Sequence, residues 1–388
     1  MKNILILFAI LIFIGAGGFY FWTSKNKNTP PSPIQQIPSV SREKIDSESP
    51  PIAVVAENLE VPWAIAFLPA SPAGGPDGGM LVTERPGRVR FIDNDGKLDS
   101  TPVATIDSVN AVGEGGLMGI ALHPDFEKNQ YVYLYYTYDG SGNNTSNRLV
   151  RMRFENNHLA NEEILVDSIP GASNHNGGRI KFGPDGFLYI GTGDVQEPSQ
   201  SQNRNTLGGK ILRVTDTGKP APGNPFGNEV YSYGHRNVQG LAWDSRGQMW
   251  ATEHGPSGIW PNCCQDEINR IEQQGNYGWP QSVGDKVAAG TVGPMFHSGR
   301  DIWAPSGASI VGDSFFFAGL RGVTLYEAVI ENGEVTEVKE HFKGQFGRLR
   351  EVVVGPDNML YITTSNRDGR GKPQSGDDKV IRVNPNLL

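Results

Sequence analysis

The chain is 388 residues long and carries a formal net charge of −8, with 49 glycines and 27 prolines spread along it. So much glycine and proline excludes an architecture of long helices, because both residues destabilise helix interiors. Their scattered placement excludes a collagen-like repeat and favours many short strands joined by tight turns. A hydrophobic content of 37% is enough for a folded core. The negative charge gives no reason to expect nucleic acid or an anionic membrane surface as a partner.

The start of the chain differs from the rest. Residues 4–22 carry no charge and lie between Lys2 and Lys25. This stretch is close to the length that spans a bilayer and is longer than the usual core of a signal peptide. Bulky residues at 19–22 stand where a cleavage site would need small ones. We therefore predict a signal-anchor or signal peptide at residues 1–24, and an uncleaved anchor is favoured.

The remaining chain divides near residue 50. Residues 25–50 are rich in proline, serine and charged side chains, which predicts a flexible tether. Residues 51–388 would form the folded body. The leading apolar segment predicts that this body is exported, to the periplasm or to the outer face of a membrane.

One pattern recurs after residue 50: a short apolar strand, a turn rich in proline, aspartate and glycine, and a second apolar strand. Six copies follow one another at intervals of roughly fifty to sixty residues, as in a repeat architecture. The copies begin at Ala64, Gly119, Ile180, Leu241, Ala308 and Val352. Further segments at 87–92, 148–154, 210–214 and 379–383 alternate apolar and basic residues, which is typical of a strand with one buried face.

Six small antiparallel sheets in a row predict an all-β fold, a six-bladed β-propeller, in which the sheets stack around a channel and leave only short edges. We expect Ile52–Ala56 to add a strand to the last blade and so close the ring. A two-sheet sandwich is the alternative architecture, and the even spacing of the copies argues against it.

Polar clusters precede several copies, whereas the common hydrolase, nucleotide-binding and zinc-protease motifs are missing. His175 lies in a loop of asparagine and glycine, and a histidine suits proton abstraction from an alcohol near neutral pH. A loop histidine is, however, more often structural. Arg348 and Arg350 share one face of a strand, and with Arg236 and Arg321 they would form a cationic cluster that suits carboxylates or phosphate. Solvated arginines at strand edges are the alternative.

Two further features stand in the fourth repeat. Residues 254–256, Asp266 and residues 276–280 combine carboxylates with the carbonyls of a Gly/Pro loop, which is a weak indication of calcium. The two cysteines, Cys263 and Cys264, are neighbours. They either pair with each other or remain thiols, and the sequence does not choose.

Read together, these segments resemble the soluble quinoprotein glucose/sorbosone dehydrogenase family, in particular its aldose sugar dehydrogenase branch. The resemblance extends from about residue 52 to residue 384. Four segments occur in the family's order, at 113–126, 174–179, 234–243 and 276–280. The resemblance implies a propeller that carries pyrroloquinoline quinone (PQQ) and calcium. It also implies oxidation of an aldose at C1 to the lactone, with electrons passing on to a quinone or soluble acceptor.

The resemblance also implies roles for individual residues. His175 would be the general base that takes the hydroxyl proton from the anomeric carbon of the sugar. Arg236 and Asn237 would contact PQQ, and Arg348 and Arg350 would bind its acidic groups.

The metal ligands follow from the same resemblance. The carbonyls of Gly255 and Pro256 would hold the calcium that polarises the quinone. Glu267 and Tyr277 would contribute to a second, structural calcium. Asp194, after the third repeat, would be a polar residue on the substrate side.

Three features depart from the family's pattern. The glutamine at the cofactor position in the second repeat is Glu114 in this chain, and a carboxylate there should weaken the binding of an anionic cofactor unless calcium or an arginine compensates. The lysine that faces the quinone is replaced by Arg321, which keeps the charge and changes the geometry. An insertion around 259–264 separates the expected calcium carbonyls from Asp266.

Two other functions stay open at this point. A non-catalytic propeller that binds carbohydrate or protein would have kept the scaffold alone, and Glu114 favours that interpretation. An enzyme of the same fold that acts on sorbosone or another substrate is the second alternative.

Overall fold

The structure, a computed structural model, describes residues 40–42, 49–70, 78–141, 144–258 and 263–388. The predicted signal-anchor at 1–24 lies outside these residues, as does most of the predicted tether at 25–50. Among the residues described, no helix is long and apolar enough to cross a bilayer.

The described part of the chain is almost entirely strands and loops. Its strands are β1 Ile52–Ala56, β2 Pro62–Phe67, β3 Met80–Glu84, β4 Arg88–Ile92, β5 Ala104–Thr105, β6 Leu117–Leu122, β7 Tyr131–Asp139, β8 Thr145–Glu155, β9 His158–Pro170, β10 Ile180–Phe182, β11 Leu188–Gly191, β12 Lys210–Val214, β13 Val230–Tyr233, β14 Val238–Trp243, β15 Met249–Glu253, β16 Glu267–Ile271, β17 Phe296–His297, β18 Pro305–Val311, β19 Ser314–Gly319, β20 Thr324–Glu331, β21 Glu334–His341, β22 Leu349–Val354, β23 Leu360–Thr364 and β24 Val380–Val383. Two one-turn helices, α1 Phe126–Asn129 and α2 Ser199–Gln202, and a 3₁₀ turn at Pro385–Leu387 complete the set.

The strands form six antiparallel sheets of four strands each. Five sheets take consecutive strands (β2–β5, β6–β9, β10–β13, β14–β17 and β18–β21), and the sixth takes β22–β24 together with β1. The first strands of neighbouring sheets contact one another: β2 touches β6 and β22, β6 touches β10, and β18 touches β14 and β22. These contacts place the first strand of each sheet innermost. The predicted six-bladed propeller is confirmed.

The turns of the repeats are held by an aspartate that the sequence pattern singled out. In the third sheet Asp185 accepts a hydrogen bond from the hydroxyl of Tyr189 and pairs with Arg213. In the sixth sheet Asp357 accepts from the hydroxyl of Tyr361 and pairs with Arg382. In both sheets the same three residue types therefore link the hairpin of the first two strands to the third strand.

The core lies between sheets rather than on one face of each. Phe315, Phe316 and Phe317 on β19 are all fully buried. Successive side chains on a strand point to opposite faces, and accordingly Phe316 packs with the core of the sixth sheet while Phe315 and Phe317 pack with that of the fourth. A strand that is apolar on both faces fits a sheet sandwiched between two neighbours.

The ring closes where the sequence predicted it. β1 pairs with β24, with Ile52 opposite Val383 and Val54 opposite Ile381, so the first strand of the body completes the last sheet. Residues 40–42 of the predicted tether also contact the body. The carbonyl of Val40 accepts from the amide of Gly312, and that of Arg42 accepts from the side chain of Asn386.

We expect removal of β1 to destabilise the propeller. A chain that begins at residue 58 leaves the edge of β24 that faces β1 without partners, while its other edge stays paired with β23, and each lost hydrogen bond costs about 1 kcal/mol. Calorimetry should show a midpoint of unfolding lower by ~5 °C or more than for a chain that begins at residue 50, which lacks the contacts of residues 40–42 as well but keeps β1. Equal midpoints for the two chains would contradict the closure of the ring through β1.

Candidate functional site

Loops that precede the innermost strands, together with loops that join the second and third strands of several sheets, surround one cavity of about 520 Å³. Every innermost strand begins at the same end of the ring, so side chains distant in sequence converge there. Eight of the residues that the sequence singled out line this cavity: Glu114, His175, Arg236, Gly255, Pro256, Arg321, Arg348 and Arg350. Four others are not part of the lining: Asp194, Asn237, Glu267 and Tyr277.

His175 is oriented by a buried carboxylate. Its Nδ1 lies 2.6 Å from Oδ1 of Asp194, and the other oxygen of Asp194 accepts from Nε1 of Trp279 at 2.8 Å. Burial alone would raise the pKa of Asp194, but the hydrogen bond and charge of His175 lower it. The ionised carboxylate therefore holds the hydrogen on Nδ1 and leaves the lone pair on Nε2. Since Nε2 has no hydrogen-bond partner in the part of the chain that is described, the ring can accept a proton from a molecule in the cavity.

The placement of Asp194 differs from its expected role on the substrate side. Its side chain is 1% exposed and lies behind His175 rather than on the cavity wall. Its oxygens are occupied by His175, Trp279 and the amide of Gln196. This placement favours orientation of the histidine over contact with a substrate.

The backbone around His175 is tightly constrained. His175 has a φ of +59°, and a Cβ at Gly193 would lie 1.9 Å from its carbonyl oxygen, so the segment that follows β11 needs a glycine at that position. Asn237 is buried and its Oδ1 accepts from the amide of Gly177 at 3.0 Å. The structure therefore places Asn237 beneath the histidine loop, where it fixes the loop, and not on the cavity wall.

Positive charge dominates the cavity. Five arginines line it (Arg236, Arg321, Arg348, Arg350 and Arg370), against the two carboxylates Glu114 and Asp266. Burial lowers the pKa of Arg350 to about 9, so the guanidinium stays charged at neutral pH. Its Nε is buried and has no hydrogen-bond partner among the described residues.

These residues fit PQQ, the cofactor that the resemblance implies. PQQ is a flat fused-ring molecule with three carboxylates, and arginine is the side chain that binds carboxylates best. A buried donor without an acceptor costs about 1–3 kcal/mol, so Arg350 would gain from an anion in the cavity. Arg348 is already braced, because its Nε donates to Asp368 at 2.9 Å and its Nη1 donates to the carbonyl of Leu320 at 3.0 Å.

The negative charge of Glu114 is compensated by an arginine, one of the two possibilities that the sequence allowed. Nη1 of Arg370, a residue of the loop between β23 and β24, donates to Oε1 of Glu114. The second oxygen of Glu114 accepts from the amide of His175 at 3.1 Å. Burial alone would raise the pKa of Glu114, but His254, Arg370 and the His175 amide lower it to about 2. Glu114 is therefore ionised and paired at neutral pH.

The expected cofactor-side calcium ligands, Gly255 and Pro256, lie on the cavity wall. Asp266 organises this wall, since its Oδ1 accepts from the amide of Gly255 at 2.9 Å and its Oδ2 accepts from the amides of Trp303 and Ala304. The described residues contain no group of three or more His, Cys, Asp or Glu side chains placed to hold a metal. A calcium in this cavity would depend on carbonyl oxygens and on oxygens of a bound ligand.

Glu267 belongs to a buried polar cluster outside the cavity. Burial and the neighbouring Glu253 raise the pKa of Glu267 to about 8. The side chain of Asn269 donates to both carboxylates, at 3.3 and 3.2 Å, and its Oδ1 is buried without a donor among the described residues. Two carboxylates beside an unpaired amide oxygen fit a hard cation.

Tyr277 is placed differently from Glu267. Its hydroxyl donates to the carbonyl of Arg270 at 2.7 Å and accepts from the amide of Glu272 at 2.8 Å. Its ring stacks on His235. The hydroxyl is thus engaged by backbone groups, and any calcium ligand from Tyr277 would have to be another atom.

The two cysteines form a disulfide with each other, and both line the cavity. Residues 259–262 of the predicted insertion lie outside the described residues.

Three residues of the site were not singled out from the sequence. Trp279 stands in the quoted 276–280 segment, but a tryptophan beside a proline gives no sign that it binds Asp194. Asp368 and Arg370 belong to a loop of arginine, glycine and lysine without any repeat signature. Their part in the site depends on the closure of the ring, which brings the sixth sheet beside the first.

Comparisons with known proteins agree with this geometry. The family model described as Glucose / Sorbosone dehydrogenase matches residues 59–372. The aldose sugar dehydrogenase YliI of Escherichia coli is 31% identical over 352 residues, which cover 82% of this chain and 91% of that protein.

Two solved structures are similar over most of the chain. The PQQ-bound form of the aldose sugar dehydrogenase of Streptomyces coelicolor has a TM-score of 0.76 at 39% identity, covering 85% of this chain and 97% of that one. A putative oxidoreductase (glucose dehydrogenase) of Thermus thermophilus has a TM-score of 0.78 at 45% identity, covering 85% and 98%. With this fold, this cavity and these relatives, the chain belongs to the glucose/sorbosone dehydrogenase family.

Proposed function

We propose that this protein oxidises an aldose at C1 to the lactone, with PQQ as its redox cofactor and calcium as its metal. The observation that carries the proposal is the position of His175, with Nδ1 held by Asp194 and Nε2 facing a cavity of arginines. PQQ, when bound, would supply the acceptor for the hydride that leaves C1. The membership of the family and the likeness to a PQQ-bound aldose sugar dehydrogenase support this choice of cofactor.

In this proposal His175 takes the proton of the C1 hydroxyl on Nε2. The O–H bond breaks as the carbonyl forms, so a base at this atom is needed at the moment the C1–H bond breaks. Asp194 stabilises the imidazolium that results and keeps the ring in its reactive orientation, which an unpaired histidine would lose.

Arg236, Arg348 and Arg350 would bind the carboxylates of the cofactor. The Nε of Arg350 has no hydrogen-bond partner among the described residues, and the only hydrogen bonds that the guanidinium of Arg236 makes to those residues are long, at 3.3 and 3.4 Å to His254 and Ser257. Both guanidiniums can therefore turn to an anion without breaking a strong bond. Arg321, exposed at the rim of the cavity, would take the place of a lysine near the quinone.

Calcium would lie at two places. At the carbonyls of Gly255 and Pro256 it would polarise the cofactor as a Lewis acid. A second calcium beside Glu253 and Glu267 would satisfy the buried Oδ1 of Asn269 and relieve the repulsion between the two carboxylates.

We also propose that the protein is exported and held by its N-terminal segment, on the strength of the apolar residues 4–22. The electrons would then pass to a quinone or soluble carrier outside the cytoplasm.

Reconstitution tests the proposed function. Purified protein without residues 1–24 should reduce an artificial dye in the presence of glucose or another aldose only after PQQ and calcium are added, and a chelator should abolish the activity. A protein that binds PQQ without turnover on any sugar would require another substrate. A protein that does not bind PQQ would instead be a binding module.

Replacement of the base should separate chemistry from cofactor binding. We expect His175→Gln to lower kcat by about 100-fold or more, the usual contribution of a general base, while the Kd for PQQ stays within about threefold of the original. Stopped-flow reduction of the bound cofactor and a fluorescence titration measure the two quantities. His123→Gln, a histidine outside the cavity, is the control, and loss of PQQ from His175→Gln would refute the assigned role.

Replacement of Arg350, whose Nε has no partner among the described residues, should weaken cofactor binding and leave the chemistry almost unchanged. Arg350→Gln removes a charge-assisted hydrogen bond of about 1.5–3 kcal/mol, so the Kd for PQQ should rise about 10-fold to 100-fold. At saturating PQQ, kcat should change little, because Arg350 acts on the cofactor and not on the sugar. Arg153→Gln, an exposed arginine paired with Glu155, is the matched control. An unchanged Kd for Arg350→Gln would show that the carboxylates bind elsewhere.

A further inference from the structure

A bridge of side chains crosses the rim of the cavity between sheets that are distant along the chain. Arg370 lies in the loop between β23 and β24 of the sixth sheet. Glu114 lies in the loop before the second sheet, and Asn174 lies in the loop before the third sheet. Nη1 of Arg370 donates to Glu114, and its Nη2 donates to Oδ1 of Asn174 at 3.0 Å.

The bridge continues in both directions. Oδ1 of Asp368 accepts from the amide of Arg370 at 2.9 Å, while Oδ2 pairs with Arg348 at 2.8 Å. At the other end, Glu114 accepts from the amide of His175 at 3.1 Å. A chain of ion pairs and hydrogen bonds thus runs from Arg348 through Asp368, Arg370 and Glu114 to the backbone of His175.

The negative charge of Glu114 would oppose the binding of an anion in this cavity. Its side chain is 24% exposed, and it lies in a cavity whose arginines suit an anion. A like charge opposed to a bound anion weakens binding strongly when no cation stands between them. Arg370 pairs directly with Glu114 and so neutralises the negative charge of that carboxylate.

We propose that Arg370 is a positioning residue which neutralises Glu114, so that the cavity keeps a carboxylate for the His175 loop and still binds a polycarboxylate. The proposal rests on the proposed function for the identity of that ligand as PQQ. In this proposal Arg370 raises the affinity of the cavity for the polycarboxylate, and Glu114 holds the backbone amide of His175.

A stabilising surface ion pair is the competing explanation, and the structure separates the two. The side chain of Arg370 is 54% exposed, and exposed ion pairs contribute little to stability. Loss of the pair should therefore leave the unfolding midpoint within about 2 °C. The effect should appear in anion affinity, and it should depend on whether Glu114 is still charged.

Four proteins test the proposal: the original, Glu114→Gln, Arg370→Gln and the double variant. Glutamine at 114 keeps an acceptor for the His175 amide and removes the charge. The probes are PQQ and benzene-1,3,5-tricarboxylate, a flat and redox-inert trianion, titrated calorimetrically without sugar. Arg153→Gln is the control for loss of an exposed, paired arginine.

We expect Arg370→Gln to weaken binding of both probes about tenfold or more, because Glu114 is left uncompensated. Glu114→Gln should bind at least as tightly as the original protein. The double variant should return to within about threefold of the original, since no carboxylate then remains to compensate. Rescue of this kind cannot come from a purely structural role.

Two results would overturn the proposal. Unchanged affinity in Arg370→Gln would show that Glu114 does not oppose the anion. A double variant as weak as Arg370→Gln would show that Arg370 binds the anion itself. If the original protein binds the tricarboxylate and not PQQ, the proposed cofactor is wrong, and the tricarboxylate titrations still decide the role of Arg370.

Discussion

Five arginines converge on one cavity in a protein whose net charge is −8, and the balance of their charge is the constraint on which the site depends. Guanidinium groups that line one cavity repel one another, and burial adds to the cost of each charge. Asp368 offsets part of it through Arg348 and lies 4.0 Å from Arg350. The buried Nε of Arg350 stays unpaired among the described residues. Among the described residues the cavity thus has more positive than negative side chains, which is the balance expected of a site for an anion.

Asp194 and Glu114, the two carboxylates that contact His175, have different roles. Asp194, buried behind the ring, sets which nitrogen carries the hydrogen and leaves the lone pair on Nε2, the atom that we propose as the base. Glu114, nearer to solvent, binds the backbone amide of the same residue and is neutralised from outside by Arg370. Because Arg370 neutralises it, Glu114 is compatible with the binding of an anion in this cavity, and it no longer favours a non-catalytic module.

Much of the fold follows from the sequence, because the repeat carries local chemistry: an aspartate that caps a turn, a tyrosine and an arginine that bind it, and strands of alternating polarity. The position of His175 before an innermost strand likewise follows, since each copy of the repeat places its leading loop at the same end of the ring. The four segments that occur in the family's order, together with the fold, were enough to identify the family from the sequence.

The parts that the sequence did not reveal depend on contacts between sheets. Arg370 and Glu114 are 256 residues apart, and only the closed ring brings them together. Asp194 follows a strand like any substrate-side residue, and its true position becomes evident only from the hydrogen bonds to His175 and Trp279. Tyr277 matched a motif by spacing, but spacing does not say that backbone groups occupy its hydroxyl.

The central claim is that the arginine cavity binds PQQ in front of His175. A crystal structure of the protein soaked with PQQ and calcium tests it most directly. We expect flat electron density in this cavity, with carboxylates bound by Arg348 or Arg350 and with Nε2 of His175 open to the same space. Density for PQQ at another place, or an empty cavity at saturating PQQ, would contradict it.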